Sequence, residues 1–334
     1  METEPTSILA EQEKVIFDAV AEIDSWLAQE NTKPSLRPFK AAILFVEHFV
    51  LEVSGGDKEN FAEQAWFAVV FHHVRDWYDQ NYGAQMHEQS DGFSRAVVGV
   101  RGIPVKFKVP LTRSVVEVEG VTAWLCFPNA IEDGEDPTHW LVDAPPIANL
   151  LRKDRDKLER ECRRTAVALR NVRLNTQGLT GSSEVIDGLV SGILPELEAA
   201  AGHIVTNKPE AFGLAAWCLQ MALERTLNSL ALQKHGNYKK THDLFSLFDL
   251  VAVTLAPMNR DLMKGFLRQG EVMDARYGQG KGVEREQIFK SYLAAIEFVA
   301  NATSKFDRTL SVSGGRLLLK MPPWLALPGK DATE

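Results

Sequence analysis

Apolar residues recur three and four positions apart along most of this chain and at every second position in one central stretch, and that change of period divides it. Leu9, Ile16, Val20, Ile23 and Leu27 share one side of a helix for which Ser7 is the expected cap, and the 33–38 segment, with Pro34 and Pro38, breaks it. A second helix is predicted from near Pro38, with Ile43, Val46, Phe49 and Val50 inward and Gly55-Gly56 at its end. A third, over 58–82, carries Trp66, Phe67, Val70, Phe71, Val74 and Trp77 around much of its circumference, which predicts burial between neighbours.

From Gly92 the period becomes two. Ile103, Val105, Phe107 and Val109 alternate with Pro104, Lys106 and Lys108, and the pattern returns in 116–119 and 121–127. Arg101-Gly102 and Glu119-Gly120 sit where hairpin turns are needed. The prediction is one antiparallel meander, with 139–142 as an extra strand. The loop over 129–138 and Pro145-Pro146 then close this half.

Helical spacing resumes over 148–175, in a heavily charged segment that includes Arg152, Arg160, Arg163, Arg164, Arg170 and Arg173. Two readings stand: a phosphate track, or a solvated helix laced by pairs such as Asp156-Arg160 and Glu159-Arg163, which is favoured. A weaker helix over 179–202 should break near Pro195. Phe212, Ala216, Leu219, Leu223, Leu227 and Leu230 then form one stripe, with Glu224, Arg225 and Asn228 off it. Gly236 ends that helix, and Thr241 is the expected cap of the next, which carries Leu244, Leu247, Phe248 and Val251. Helices over 258–276 and 284–303 and a short strand over 316–320 follow. The predicted class is α+β: N-terminal helices with a small antiparallel sheet (1–146), a basic helix and connecting region (147–204), a mostly α-helical bundle (205–310) and a tail (311–334).

Glu224-Arg225, the loop from Gly236 to Lys240, the run Thr241-His242-Asp243-Leu244 and the later Ala275-Arg276-Tyr277 together resemble the HEPN family of helical bundles. The resemblance implies one of two functions. Some members are ribonucleases with an Arg-x4-6-His motif used in pairs across a dimer; others bind nucleotides or serve nucleotidyltransferase-like partner proteins. Toxin–antitoxin or antiviral defence is the implied setting, and a homodimer the implied assembly, for which the small residues Ala215 and Ala216 beside Trp217 offer a face. The nuclease motif is missing, since none of the eight histidines follows an arginine by five to seven residues. That spacing would have to bring acid and base within hydrogen-bond reach. The expectation is therefore a non-catalytic nucleotide- or RNA-binding protein without cofactor. Its ligand site is expected at Lys239, Lys240, His242, Arg276, Tyr277 and Lys281. The alternatives are a diverged ribonuclease using Arg225, Lys240 and His242, or a purely structural dimer.

Composition narrows this further. The formal charge of −8 argues against broad nucleic-acid binding but leaves room for a local basic patch. Cys126, Cys162 and Cys218 are scattered, which fits a reducing cytoplasm better than a disulfide framework. No apolar run is long enough to span a bilayer, and the acidic first residues do not read as a signal peptide. No metal site is expected. Adjacent His72 and His73 face different ways on a helix; Glu132, Asp133, Glu135, Asp136 and His139 lack the spacing of a calcium loop and read as an exposed acidic turn. The glycine-rich 278–282 segment does not match a P-loop and reads as an interhelical loop.

Overall fold

The computed structural model describes residues 5–53, 56–83, 92–181, 183–277 and 282–321, with side chains from residue 15 onward. The class is α+β, mostly helix with two small antiparallel sheets. The chain forms two compact units: Met1–Asp91 with Val116–Trp124 and Leu318–Glu334, and Gly92–Val115 with Leu125–Leu317. The first strands thus belong with the helices that follow them, whereas the sequence suggested a division at 146/147.

In the smaller unit, α1 (Pro5–Gln29), α2 (Arg37–Phe49) and α3 (Ala65–Tyr82) pack on one another. The first helix starts at Pro5, two residues before its expected cap Ser7, and the third at Ala65, after a 3-10 turn over Phe61–Glu63. Only Phe67, Val74 and Tyr78 of α3 are fully buried, so one face is covered and not the whole circumference. The core of this unit holds a carboxylate, Asp24, which accepts from the hydroxyls of Tyr78 at 3.0 Å and of Tyr82, with Arg37 at 3.4 Å. A buried charge needs such partners.

The strands do not form one meander. β1 (Phe93–Val100), β2 (Ile103–Pro110) and β5 (Leu141–Val142) make one sheet in the order β1-β2-β5. β3 (Arg113–Val118), β4 (Thr122–Cys126) and β6 (Arg316–Lys320) make the other. The second edge of β2 is taken by β5, so β3 has no place beside it. The hairpin between β1 and β2 is the predicted one: Val100 pairs with Ile103, and Arg101 and Gly102 both have positive φ, 50° and 78°, as a two-residue turn requires. The extra strand is shorter than the expected 139–142, because Asp136 caps a 3-10 turn over Pro137–Trp140. The outward N–H groups of β1 at Arg95 and Gly99 donate to Glu198 and Glu161, at 3.2 and 2.8 Å.

Both carboxylates come from helices of the larger unit: α4 (Arg152–Asn175), α5 (Glu184–Val190), α6 (Ile193–Val205), α7 (Pro209–His235), α8 (Leu244–Leu255), α9 (Gln269–Arg276) and α10 (Arg285–Thr303). The break between α5 and α6 falls at Ser191-Gly192, just ahead of Pro195 and not at the proline itself. Proline sits in the first turn of α6, where its missing N–H is harmless, and a Cβ at Gly192 would meet the Arg225 guanidinium at 2.6 Å. The expected helix over 258–276 is a 3-10 turn, Arg260–Gly265, followed by α9.

α7 lies at the centre, packed by α5, α6, α8, α9 and α10. Its predicted apolar stripe is buried, but so are Glu224 and Asn228 off that stripe, since neighbours cover most of its circumference. Ala215 and Ala216 are likewise consumed in the core of the unit and do not offer a face for self-association. Among the described residues no helix is long and apolar enough to cross a membrane.

The charged helix α4 is only partly solvated. The Glu159-Arg163 pair is present at 3.6 Å, while Asp156 meets Arg152 and not Arg160. Arg170 is fully buried. It donates to Pro110 O and Ala130 O and, through two nitrogens, to both oxygens of Glu135 at 2.6 and 2.8 Å, with Trp140 beneath it at 5.0 Å. The acidic 132–136 segment is therefore an exposed turn only in part: Asp133 and Asp136 are exposed, but Glu135 is buried against Arg170, and Glu132 lies between Arg113 and Arg316.

Candidate functional site

A polar stripe on α7 organises the site. Gln220, Glu224 and Asn228 recur every four residues and so lie along one side of the helix. Each holds part of the segment between α7 and α8. Gly236 ends α7 in the left-handed conformation, at φ 71°, as the sequence predicted, and the chain turns back. Asn228 then accepts from Lys239 N at 3.3 Å, Gln220 donates to His242 O at 2.7 Å, and Glu224 takes the His242 ring. The cap of α8 is Asp243, not Thr241: its carboxylate accepts from Phe245 N at 3.1 Å and from Ser246 Oγ, whereas Thr241 Oγ1 accepts from Asp243 N. The short Asp243 side chain reaches the orphan N–H groups of the first turn, and Thr241 lies two residues too early.

His242 Nδ1 is 3.1 and 3.0 Å from the two Glu224 oxygens. An ionised carboxylate only accepts, so Nδ1 is the donor and Nε2 is the ring nitrogen left free. Burial raises the Glu224 carboxyl above its ordinary value, opposed by the hydrogen bonds from Gln220 and His242. The imidazole is half exposed and lines a cleft of about 370 Å³ with Gln220, Asp243, Phe245, Arg268 and Gln269.

The other side of the site is aromatic. The His242 ring lies 5.8 Å from Trp217, and the Arg276 guanidinium sits 4.0 Å over that same indole and 5.7 Å from Tyr277. Among the described residues no carboxylate pairs with Arg276. α9 can place Arg276 there because it packs closely on α7 at Gly213, where a Cβ would lie 2.3 Å from Ala275 O.

Of the expected ligand residues, His242 and Arg276 are brought together through Trp217, and Tyr277 joins them through Arg276. Lys239 and Lys240 are exposed on the adjoining segment. Lys281 lies outside the described residues, as do 278–280. Sequence reasoning missed Trp217, Gln220 and Glu224 as site residues; their polar or aromatic character at spacings of three and four was the available signal. Arg225 is engaged elsewhere, 3.7 Å from Glu196 and donating to Gly188 O at 3.1 Å. Cys218 is pushed up to about 11, by burial first and then by Glu196, so its thiol is protonated near neutral pH and is not a nucleophile. Among the described residues no group of three His, Cys, Asp or Glu is placed to hold a metal ion. Comparison with protein-family models, curated proteins and solved structures finds no match to the chain.

Proposed function

We propose that 205–310 is a HEPN-like binding module, without catalysis of its own, that holds a nucleotide or a base and phosphate of RNA at the His242 end of α7. The observation that carries this is the Arg276 guanidinium stacked on Trp217 beside a histidine fixed by Glu224. Stacking orders the arginine in advance, and its N–H groups suit phosphate oxygens, while Tyr277, 64% exposed, offers a face to a base. His242 Nε2 adds one polar contact. A second acid or base is what cleavage would need, and Arg225, the cation of the nuclease alternative, is occupied by Glu196.

Calorimetry with ATP, GTP and a short single-stranded RNA at low salt tests this. Binding of at least one is expected, weakened about ten- to a hundredfold by Arg276→Ala, the usual effect of losing a charged hydrogen bond. Mixed cellular RNA should stay intact on incubation. Equal binding by wild type and Arg276→Ala would remove the site, and metal-independent cleavage abolished by His242→Ala would establish the nuclease alternative.

A further inference from the structure

Away from this site, α4 and α10 leave between them an open groove of about 650 Å³. Its lining mixes apolar and polar side chains, the polar ones including Arg163, Arg164 and Asn171 from α4, Glu297 and Asn301 from α10, and Arg308 beyond them. Two of the cations have counter-charges. Arg164 makes a two-point pair with Glu297 at 2.6 and 2.8 Å, and Arg163 meets Glu159 at 3.6 Å. Arg308 has no carboxylate partner among the described residues.

What holds Arg308 is a neutral amide. Its Nη1 donates to Asn175 Oδ1 at 2.8 Å, and Asn175, 5% exposed, is itself held by Ala300 O and Thr303 Oγ1, each at 3.4 Å. The backbone around Arg308 is pinned as well: Thr180 N donates to Asp307 O at 2.9 Å and Thr309 N to Gly178 O at 2.8 Å. That turn requires glycine, because Gly178 has φ +63° and a Cβ there would meet Leu310 O at 2.6 Å. The Nε–Nη2 edge of the guanidinium is left without a partner among the described residues.

A buried asparagine with long hydrogen bonds is a weak stabiliser of a helix seam, and an apolar residue of similar size would serve packing better. It does, however, fix a cation that has no counter-charge, so the ordering cost of a ligand contact is met in advance. A guanidinium edge matches the spacing of phosphate oxygens, and in a protein of net charge −8 a fixed, unneutralised arginine in an open groove is a local selector for anions. We propose that this groove binds a phosphate ester, with Arg308 as the anchor and Asn175 as its positioning residue. The volume fits a ligand of nucleotide size, supplied free or as the phosphorylated end of an RNA.

The site stands independently of Arg276, so the test uses the full chain carrying Arg276→Ala. It is titrated at low salt with ATP, with inorganic pyrophosphate and with a single-stranded RNA of about twelve nucleotides, with and without a 5′-phosphate. Saturable binding of at least one phosphate-bearing probe is expected; binding of ATP identifies a free nucleotide, and binding of phosphorylated RNA alone identifies an RNA end. Arg308→Gln should weaken binding about ten- to a hundredfold with an unchanged melting temperature. Asn175→Leu should weaken it while the melting temperature holds or rises, which separates positioning from folding. If Arg308→Gln unfolds the chain, Ser304→Tyr, from an exposed position lining the groove, should block binding instead. No saturable binding by the Arg276→Ala protein, or unchanged affinity in a folded Arg308 or Ser304 variant, overturns the proposal.

Discussion

Replacing Glu135 by glutamine keeps the shape of the side chain and removes only its charge, so it isolates what the pair with Arg170 contributes. Arg170 has no exposed side-chain surface, and its remaining acceptors after the change are Pro110 O, Ala130 O and one amide oxygen. The glutamine NH2 would also face a guanidinium nitrogen, donor against donor. Leaving a buried charge without its counter-ion costs about 3–5 kcal/mol, which for a unit of this size lowers the melting temperature by roughly 6–20 °C. Urea unfolding followed by tryptophan fluorescence is a suitable assay, because Trp140 lies beneath Arg170. The difference should also depend on pH. Burial alone would push the Glu135 carboxyl up, but the Arg170 hydrogen bonds and charge hold it below its ordinary value of 4.5. A lowered carboxyl stabilises fully above the unfolded value and loses that contribution as pH falls through the folded one. Wild type and variant should therefore converge only as pH falls below 4.5 and through the lowered folded value. A Glu135→Gln protein within about 1 kcal/mol of wild type at neutral pH would refute the reasoning, since only a solvated guanidinium would tolerate the loss.

Two further changes probe the elements that carry the proposed ligand site. Asp243→Ala removes the cap of α8 and should cost about 1 kcal/mol in denaturant unfolding. Its Ser246 and backbone hydrogen bonds hold the Asp243 carboxyl below 3.8, so the contribution should persist until pH falls under that value, and an equal loss already at pH about 5 would argue against the cap. Gly213→Ala gains up to about 1 kcal/mol of helix propensity but drives a Cβ into the backbone of Ala275, a clash worth about 1–3 kcal/mol. Lower stability together with weaker ligand binding is expected; a more stable variant that binds normally would show that α9 yields without moving Arg276.

Period and turn chemistry made much of the fold legible. The α7 stripe, the Gly236 stop, and the Arg101-Gly102 hairpin all follow from local rules that need no knowledge of distant chain. Arg170 was not legible, because among so many charged neighbours nothing marks the one over which Pro110, Ala130 and Glu135 close. The sheets were misjoined for a related reason: which strand occupies the second edge of β2 is decided by the 3-10 turn before β5, not by the alternation within β2. At the candidate site, His242 and Arg276 could be singled out from the sequence, but their meeting at Trp217 depends on the close approach of α9 to α7.

The free edge of β1 has a consequence for how this protein meets other chains. An open strand edge invites a foreign strand to extend the sheet, and here the two N–H groups that would begin such growth, at Arg95 and Gly99, are already bound by Glu198 and Glu161. An intruder would have to displace two carboxylates rooted in α6 and α4, and it would then leave their charges facing its own carbonyls. Because α6 packs along α7 and Glu161 belongs to α4, exposing the edge requires the core around α7 to open as well. Self-association by strand addition is thus guarded by two helices at once, and becomes a hazard only when the larger unit itself opens.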